Sequence, residues 1–292
     1  VFWNTEEQRL RAGWRILLQF ALMALLGALP ILLVAEPLTA LHRRGLFLPH
    51  AGKTVYDRAI NMIVGPLLTL GILASVAIAT RFLDRRRVHL RLDARWWRAL
   101  LLGLSLGAVL MTLIFAVELT AGWLAVASVA PVPLGLALAF SIVKVLCVGT
   151  YEEVVTRGYL LRNLAEGTNV PLAVAISSAI FAVLHATNDN ATLLSIAGLF
   201  VNGVLFAAAM LVTGRLSASI GLHMAWNFCE GVVFGFPVSG DKEGASFVAI
   251  EQLGSPIVTG GGFGPEAGLI GVGACVVGIG LLVFARWIVA RR

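Results

Sequence analysis

The sequence predicts an all-α fold, a polytopic transmembrane helical bundle of about eight spans with both termini cytoplasmic. Three observations predict it. Of 292 residues, 59% are hydrophobic and 13% charged, whereas a soluble domain carries about 25% charged residues. Mean hydropathy is +0.90. The apolar residues come in runs of roughly 20, the length at which a helix crosses a hydrocarbon core, and they lack the period of two of a membrane β-barrel. The net charge of +6 would suit nucleic acid in a soluble protein. Here the arginines cluster in short loops, where they set topology, and no nucleic-acid partner is expected.

The first run, 14–35, lacks a small-residue cleavage site and reads as a span, not a signal peptide. The second is near 59–80, the third near 99–121 and the fourth near 133–150. A short fifth run covers 171–186, a sixth 192–212, a seventh 216–236 and an eighth 267–289. Arg9, Arg11, Arg15, the basic loop 81–98, Arg162, Arg215, Arg291 and Arg292 then fall inside, against Arg43, Arg44, Lys53, Arg58 and Lys242 outside. The loop 81–98 also reads as an amphipathic surface helix with Trp96 and Trp97 at the interface. The glycine-rich stretch 237–266 contains Pro237, Pro256 and Pro265 and reads as a long outer loop, ordered in part over the bundle. Three regions result: N-terminal helices with the basic loop (1–130), a helical core (131–236), and the outer loop with a last span (237–292). Cys147, Cys229 and Cys275 lie in apolar segments without a CxxC pair, so neither a disulfide framework nor a cysteine metal site is expected.

Ionisable residues inside spans are functional suspects, because burying a charge is costly. They are Glu118, Lys144, Glu152, Glu153, Arg157, His185, His223 and Glu230, joined by the amides Asn202 and Asn227. In "YEEVVTR" (151–157), Glu153 and Arg157 are four residues apart and share a helix face, so they read as a buried structural pair. Glu152 is turned about 100° away and stays available for chemistry. In "HMAWN" (223–227) the same spacing places His223 and Asn227 on one face. With His185 of "FAVLH" (181–185), these are the parts of a hydrolase: a base for water and donors for an oxyanion. The bland readings are interhelical hydrogen bonds for each histidine and a helix lock for the E/R pair. Glu118, near a span end, is expected to be solvated at the interface, Lys144 to snorkel or pair with an acid, Glu230 to line the cavity or face the outer interface, and Asn202 to join helices.

The trio "EEVVTR", "FAVLH" and "HMAWN", followed in the first case by "RGYLLRNL", resembles the CPBP family of intramembrane proteases, which includes the type II CAAX prenyl proteases and bacterial Abi-type bacteriocin-immunity proteins. The resemblance covers roughly 134–236, and its specificity lies in three motifs in order rather than in any one of them. It implies that Glu152 and His185 activate the attacking water. His223 and Asn227 would stabilise the oxyanion, and Glu153 and Arg157 would organise the site. The implied activity is hydrolysis of a peptide bond in a membrane-associated or lipidated peptide, within a prokaryotic plasma membrane and among its lipids. The alternative is a non-catalytic peptide-binding or immunity protein. No cofactor is favoured. The alternative is a divalent metal such as zinc on Glu152, His185 and His223, although no H-E-x-x-H occurs.

Overall fold

A computed structural model describes residues 2–48, 50–86, 92–129, 135–241 and 246–290. Lys242, Arg291, Arg292, the start of the fourth expected run (133–134) and the centre of the basic loop (87–91) lie outside the described residues.

The described chain is an all-α bundle of membrane type, as expected. A two-residue hairpin, β1 (Trp3–Asn4) with β2 (Arg9–Leu10), precedes α1 (Ala12–Pro30). Pro30 cannot donate to the helical ladder, and there the helix widens into a π-helical stretch, Ile31–Ala35, before continuing as α2 (Glu36–Arg43). α3 (Lys53–Ile78) likewise ends in a π-helical stretch, Ala79–Leu83. α4 (Ala94–Thr120) is capped by Asp93, whose carboxylate accepts from the Trp96 N–H at 2.8 Å. That hydrogen bond holds the Asp93 carboxyl below its ordinary range. Trp96 and Trp97 therefore belong to the first turn of α4, not to a separate surface helix.

α5 (Leu136–Glu153) runs through a π-helical stretch, Val154–Leu160, into α6 (Leu161–Gly167). α7 (Val170–Leu184) is capped by Asn169, and α8 (Leu193–Thr213) opens on a reciprocal Thr192/Ser195 capping box. α8 ends at Gly214, whose φ of +67° closes the helix in the left-handed region. α9 (Leu216–Asn227) continues as a π-helical stretch, Phe228–Val233. The outer segments contain β3 (Leu124–Val129), paired antiparallel with β4 (Val248–Gln252), then α10 (Pro256–Thr259) and α11 (Leu269–Ala290). The ribbon was not expected. Its strands fall between the third and fourth expected spans and within the expected outer loop.

Among the described residues, five helices are long and apolar enough to cross a membrane: Ala12–Arg43, Lys53–Leu83, Ala94–Thr120, Leu193–Thr213 and Leu269–Ile288. The other three expected spans are helices too, but α7 has only 15 residues. α5 carries Lys144, Glu152 and Glu153, and α9 with its π-helical continuation carries His223 and Glu230. Thus the helices that bear the chemistry are the less lipid-like ones, packed among the others.

Two devices hold these helices in register. α4 crosses α9 through Gly103, where an added β-carbon would run into the Ala218 carbonyl. Small residues at such a crossing let backbones approach closely where lipid supplies no hydrophobic drive. Gly103→Leu is expected to separate the pair and lower the unfolding midpoint in detergent, by an overpacking cost of about 1–3 kcal/mol or more. The α4–α9 crossing anchors the core cluster of Met111, Ile114, Phe206, Leu222 and Trp226. The second device is ionic. Arg15 donates to Asp84 at 2.8 Å and to Glu166 at 3.1 Å, with Arg15 and Asp84 both nearly inaccessible. Tyr159 donates to the Arg15 carbonyl at 3.3 Å, and Asn163 to Asp84 at 3.4 Å. Arg9 donates to the Asp84 carbonyl at 3.2 Å and to Glu166 at 3.1 Å, so Arg9 and Arg15, counted above among orienting charges, are internal partners tying the N-terminal hairpin and α1 to Asp84, just past the π-helical end of α3, and to α6.

Glu118 departs from expectation. It is fully buried rather than solvated, and neither carboxylate oxygen has a hydrogen-bond partner among the described residues. The chain after this helix end is tied down locally: the Trp123 N–H donates to the Glu118 carbonyl at 2.9 Å, and the Leu253 N–H to the Trp123 carbonyl at 2.8 Å.

Candidate active site

Four of the expected site residues meet around one cavity of about 230 Å³. Glu152 enters it from the last turn of α5, His185 from the C-cap of α7, and His223 and Asn227 from one face of α9. Glu152 Oε2 lies 4.0 Å from His185 Nε2 and 4.0 Å from His223 Nε2. That oxygen is buried and has no hydrogen-bond partner among the described residues.

The imidazoles are oriented from behind. His185 Nδ1 is 2.8 Å from the Phe181 carbonyl, which can only accept. Nδ1 therefore carries the hydrogen, and in the neutral ring the Nε2 lone pair faces Glu152. His223 Nδ1 is 3.0 Å from Glu153 Oε1 and is likewise the donor. The His223 ring stacks on Phe206 at 4.7 Å and 21°, which fixes its plane.

Glu153 and Arg157 do not line the cavity. Both are fully buried behind it, joined at 2.8 Å. Their i,i+4 pairing survives the π-helical stretch that begins immediately after Glu153. Arg157 also donates to Thr156 Oγ1 at 2.8 Å and to the Gly203 carbonyl at 3.0 Å, and its guanidinium lies 4.5 Å from the Phe181 ring centroid. Gly203 leaves room for this, since an added β-carbon would stand 3.1 Å from the guanidinium. Glu153 accepts from Ser219 as well, so Arg157, His223 and Ser219 all converge on it.

The sequence reading missed several members of the site. Ser219 carried a signal, lying four residues before His223 and so on the same helix face. The link from Glu153 to His223 carried none, because it joins two helices. The segment 237–241 roofs the cavity: Ser239 donates through N and Oγ to Glu266 Oε2 at 2.9 and 2.7 Å, and Asn188 donates to the Ser239 carbonyl at 2.8 Å. Asp241 pairs with Lys144 at 3.0 Å, the acid partner expected for that lysine. Glu230 is fully buried rather than at an interface, and is not among the cavity's lining residues. Asn202 was expected to join helices. Instead it lines the cavity and makes no hydrogen bond among the described residues.

An apolar groove of about 570 Å³ opens on the same carboxylate. Phe20, Met23, Leu68, Ile72 and Leu184 line it, and it shares Glu152 and His185 with the first cavity. A third space, of about 750 Å³ and bordered by Arg58 and Asn61, meets both at Tyr151.

Among the described residues, no group of three or more His, Cys, Asp or Glu side chains is arranged to hold a metal ion. Glu152, His185 and His223 come nearest: each imidazole turns Nδ1 to a carbonyl or a carboxylate, as metal-bound histidines also do, but the Nε2 atoms stand 4.0 Å from the carboxylate. Ligand atoms bound at about 2.0–2.1 Å to one tetrahedral zinc would stand roughly 3.4 Å apart, so the group as placed is wider than such a site.

Residues 133–229 match the family model of the type II CAAX prenyl endopeptidase Rce1-like proteins. The matched segment contains all three motifs, from the glutamate pair to His223 and Asn227. No curated protein and no solved structure matches the chain. With five long apolar helices, the match makes the chain a multi-pass membrane protein and supports a protease.

Proposed function

We propose that this Rce1-like domain is an intramembrane endopeptidase of a prokaryotic plasma membrane, hydrolysing a peptide bond of a membrane-associated or lipidated peptide by water activated at Glu152. One observation carries the reading. A buried carboxylate oxygen without a hydrogen-bond partner among the described residues faces two imidazole Nε2 atoms, each at 4.0 Å, across a cavity. A water about 2.8 Å from each neighbour fits between Glu152 and either ring.

In this mechanism Glu152 takes a proton from the water as the water oxygen adds to the substrate carbonyl carbon. His185 Nε2 accepts the water's other hydrogen and aligns it. The carbonyl oxygen becomes an oxyanion, held by the Asn227 amide and by His223. As an imidazolium, His223 donates from both nitrogens, to the oxyanion and to Glu153, its counter-charge. On collapse the C–N bond breaks, and the proton on Glu152 passes to the departing amine. The chemistry uses no metal. The apolar groove beside Glu152 supplies a berth for a lipid chain or apolar side chains of the substrate.

The test uses purified protein in liposomes with quenched fluorogenic peptides, S-farnesylated and unmodified, and fragments identified by mass spectrometry. Cleavage is expected, with the farnesylated peptide preferred, and with activity retained after exhaustive chelation and no stoichiometric zinc in the protein. Activity lost on chelation and restored by zinc alone would overturn the metal-free mechanism. Binding of the peptides without cleavage would favour a non-catalytic protein.

A further inference from the structure

Asn202 is unusual among the buried polar groups of the molecule. It projects from α8 one turn before Phe206, the ring that supports His223, and both line the catalytic cavity. It is 1% exposed, its Oδ1 has no hydrogen-bond partner, and no other hydrogen bond ties its carboxamide to the described residues. A buried amide without partners destabilises a fold, and in apolar surroundings a leucine of similar size would serve packing better. Its position therefore calls for a partner that the protein does not contain.

The chemistry of the cavity says what that partner is. Glu152, His185, His223 and Asn227 serve the carbonyl under attack and the water. A substrate strand also brings the neighbouring peptide groups, each with one donor and one acceptor that lose water on entry. A primary carboxamide has both complements, an oxygen that accepts and an NH2 that donates. We propose that Asn202 is a substrate-binding residue that pairs its carboxamide with a backbone peptide group of the substrate next to the bond cleaved. Glu266, on the roof side of the same cavity, has its Oε2 engaged by Ser239 and so leaves this role to Asn202. The pairing reads main chain rather than side chain. It selects an extended peptide and is indifferent to that residue's identity. This proposal rests on the protease reading above and adds a subsite to it.

The experiment joins a protein variant to a substrate variant. Asn202→Leu removes the hydrogen bonds at nearly constant volume. The farnesylated fluorogenic peptide is remade with each backbone amide flanking the cleaved bond replaced in turn by an ester, which removes the N–H. For wild type, one ester position is expected to raise KM about tenfold, the effect of losing one buried hydrogen bond. Asn202→Leu is expected to raise KM about tenfold or more for the all-amide peptide, to show no further penalty at that ester position, and to unfold at the same or a higher temperature. An interhelical role predicts the reverse, a lower unfolding temperature with wild-type KM, and that result overturns the proposal. So does an ester penalty of equal size in both proteins. If Asn202→Leu does not fold, Asn202→Ala takes its place with the same criteria. Should Glu152→Gln cleave normally, the protease mechanism fails. Should only Asn202→Leu behave as wild type, the subsite alone fails.

Discussion

Glu152→Gln is expected to fold normally and to lose about 10²–10⁴-fold in kcat, the usual contribution of a positioned general base. The loss follows from the geometry. Glu152 Oε2 makes no hydrogen bond among the described residues, and a glutamine carbonyl can still accept from the neighbouring Tyr151 hydroxyl, so the replacement keeps the structural contact. What disappears is the capacity to take a proton from water between Glu152 and the two imidazoles. Unfolding in detergent should therefore be unchanged or move slightly upward, because a buried negative charge has been removed. Peptide affinity should survive, making this variant the natural trap for substrates in membrane extracts. Fragments produced by Glu152→Gln at the wild-type rate would remove Glu152 from the mechanism. A wild-type protein that captures the same peptides as the variant and cleaves none would be a binding protein.

Much of this site was legible in the sequence because its elements are local. Glu153 with Arg157, and His223 with Asn227, are i,i+4 relationships, and helical spacing alone assigns each pair a common face. Glu152 stands one residue from Glu153, which separates their roles on any helix. Illegible were the relationships between helices. His223 turns Nδ1 to Glu153, so the buried carboxylate and the imidazole that lines the cavity are one unit rather than two. Asn202 could be read only as a polar residue in a span, and helix glue was the ordinary expectation. Its orientation into the cavity depends on how α8 packs against α7, α9 and α11. The positive charges near the N-terminus show the same limit from another side: composition marks them as orienting residues, while contact with Asp84 and Glu166 makes Arg15 a structural one. Span number suffers similarly, because a helix surrounded by protein need not be as long or as apolar as one facing lipid.

Arg157→Ala is expected to be the most destabilising substitution at the site, costing about 3–5 kcal/mol, the range for breaking one side of a buried ion pair. Arg157 is fully inaccessible and supports four neighbours: Glu153, Thr156, the Gly203 carbonyl and the Phe181 ring. Its removal leaves Glu153 buried with the hydroxyl of Ser219 and with His223. Stability alone would not show that the pair also serves chemistry, so the informative variant is the double replacement Glu153→Gln with Arg157→Met. Removing both charges spares the fold an unpaired ion, and such replacements are often near neutral. Thermal unfolding in detergent should recover most of the loss seen in Arg157→Ala. Hydrolysis should not recover, because the glutamine side chain of that protein offers His223 only a neutral amide, and the imidazolium that donates to the oxyanion has lost its counter-charge. Recovery of both stability and activity would mean that the pair is only a helix lock. An Arg157→Ala protein as stable as wild type would show that α5 and α8 are held together by packing alone. Recovery of stability without activity would locate the function of the second glutamate one step behind the chemistry, in keeping His223 charged and aimed.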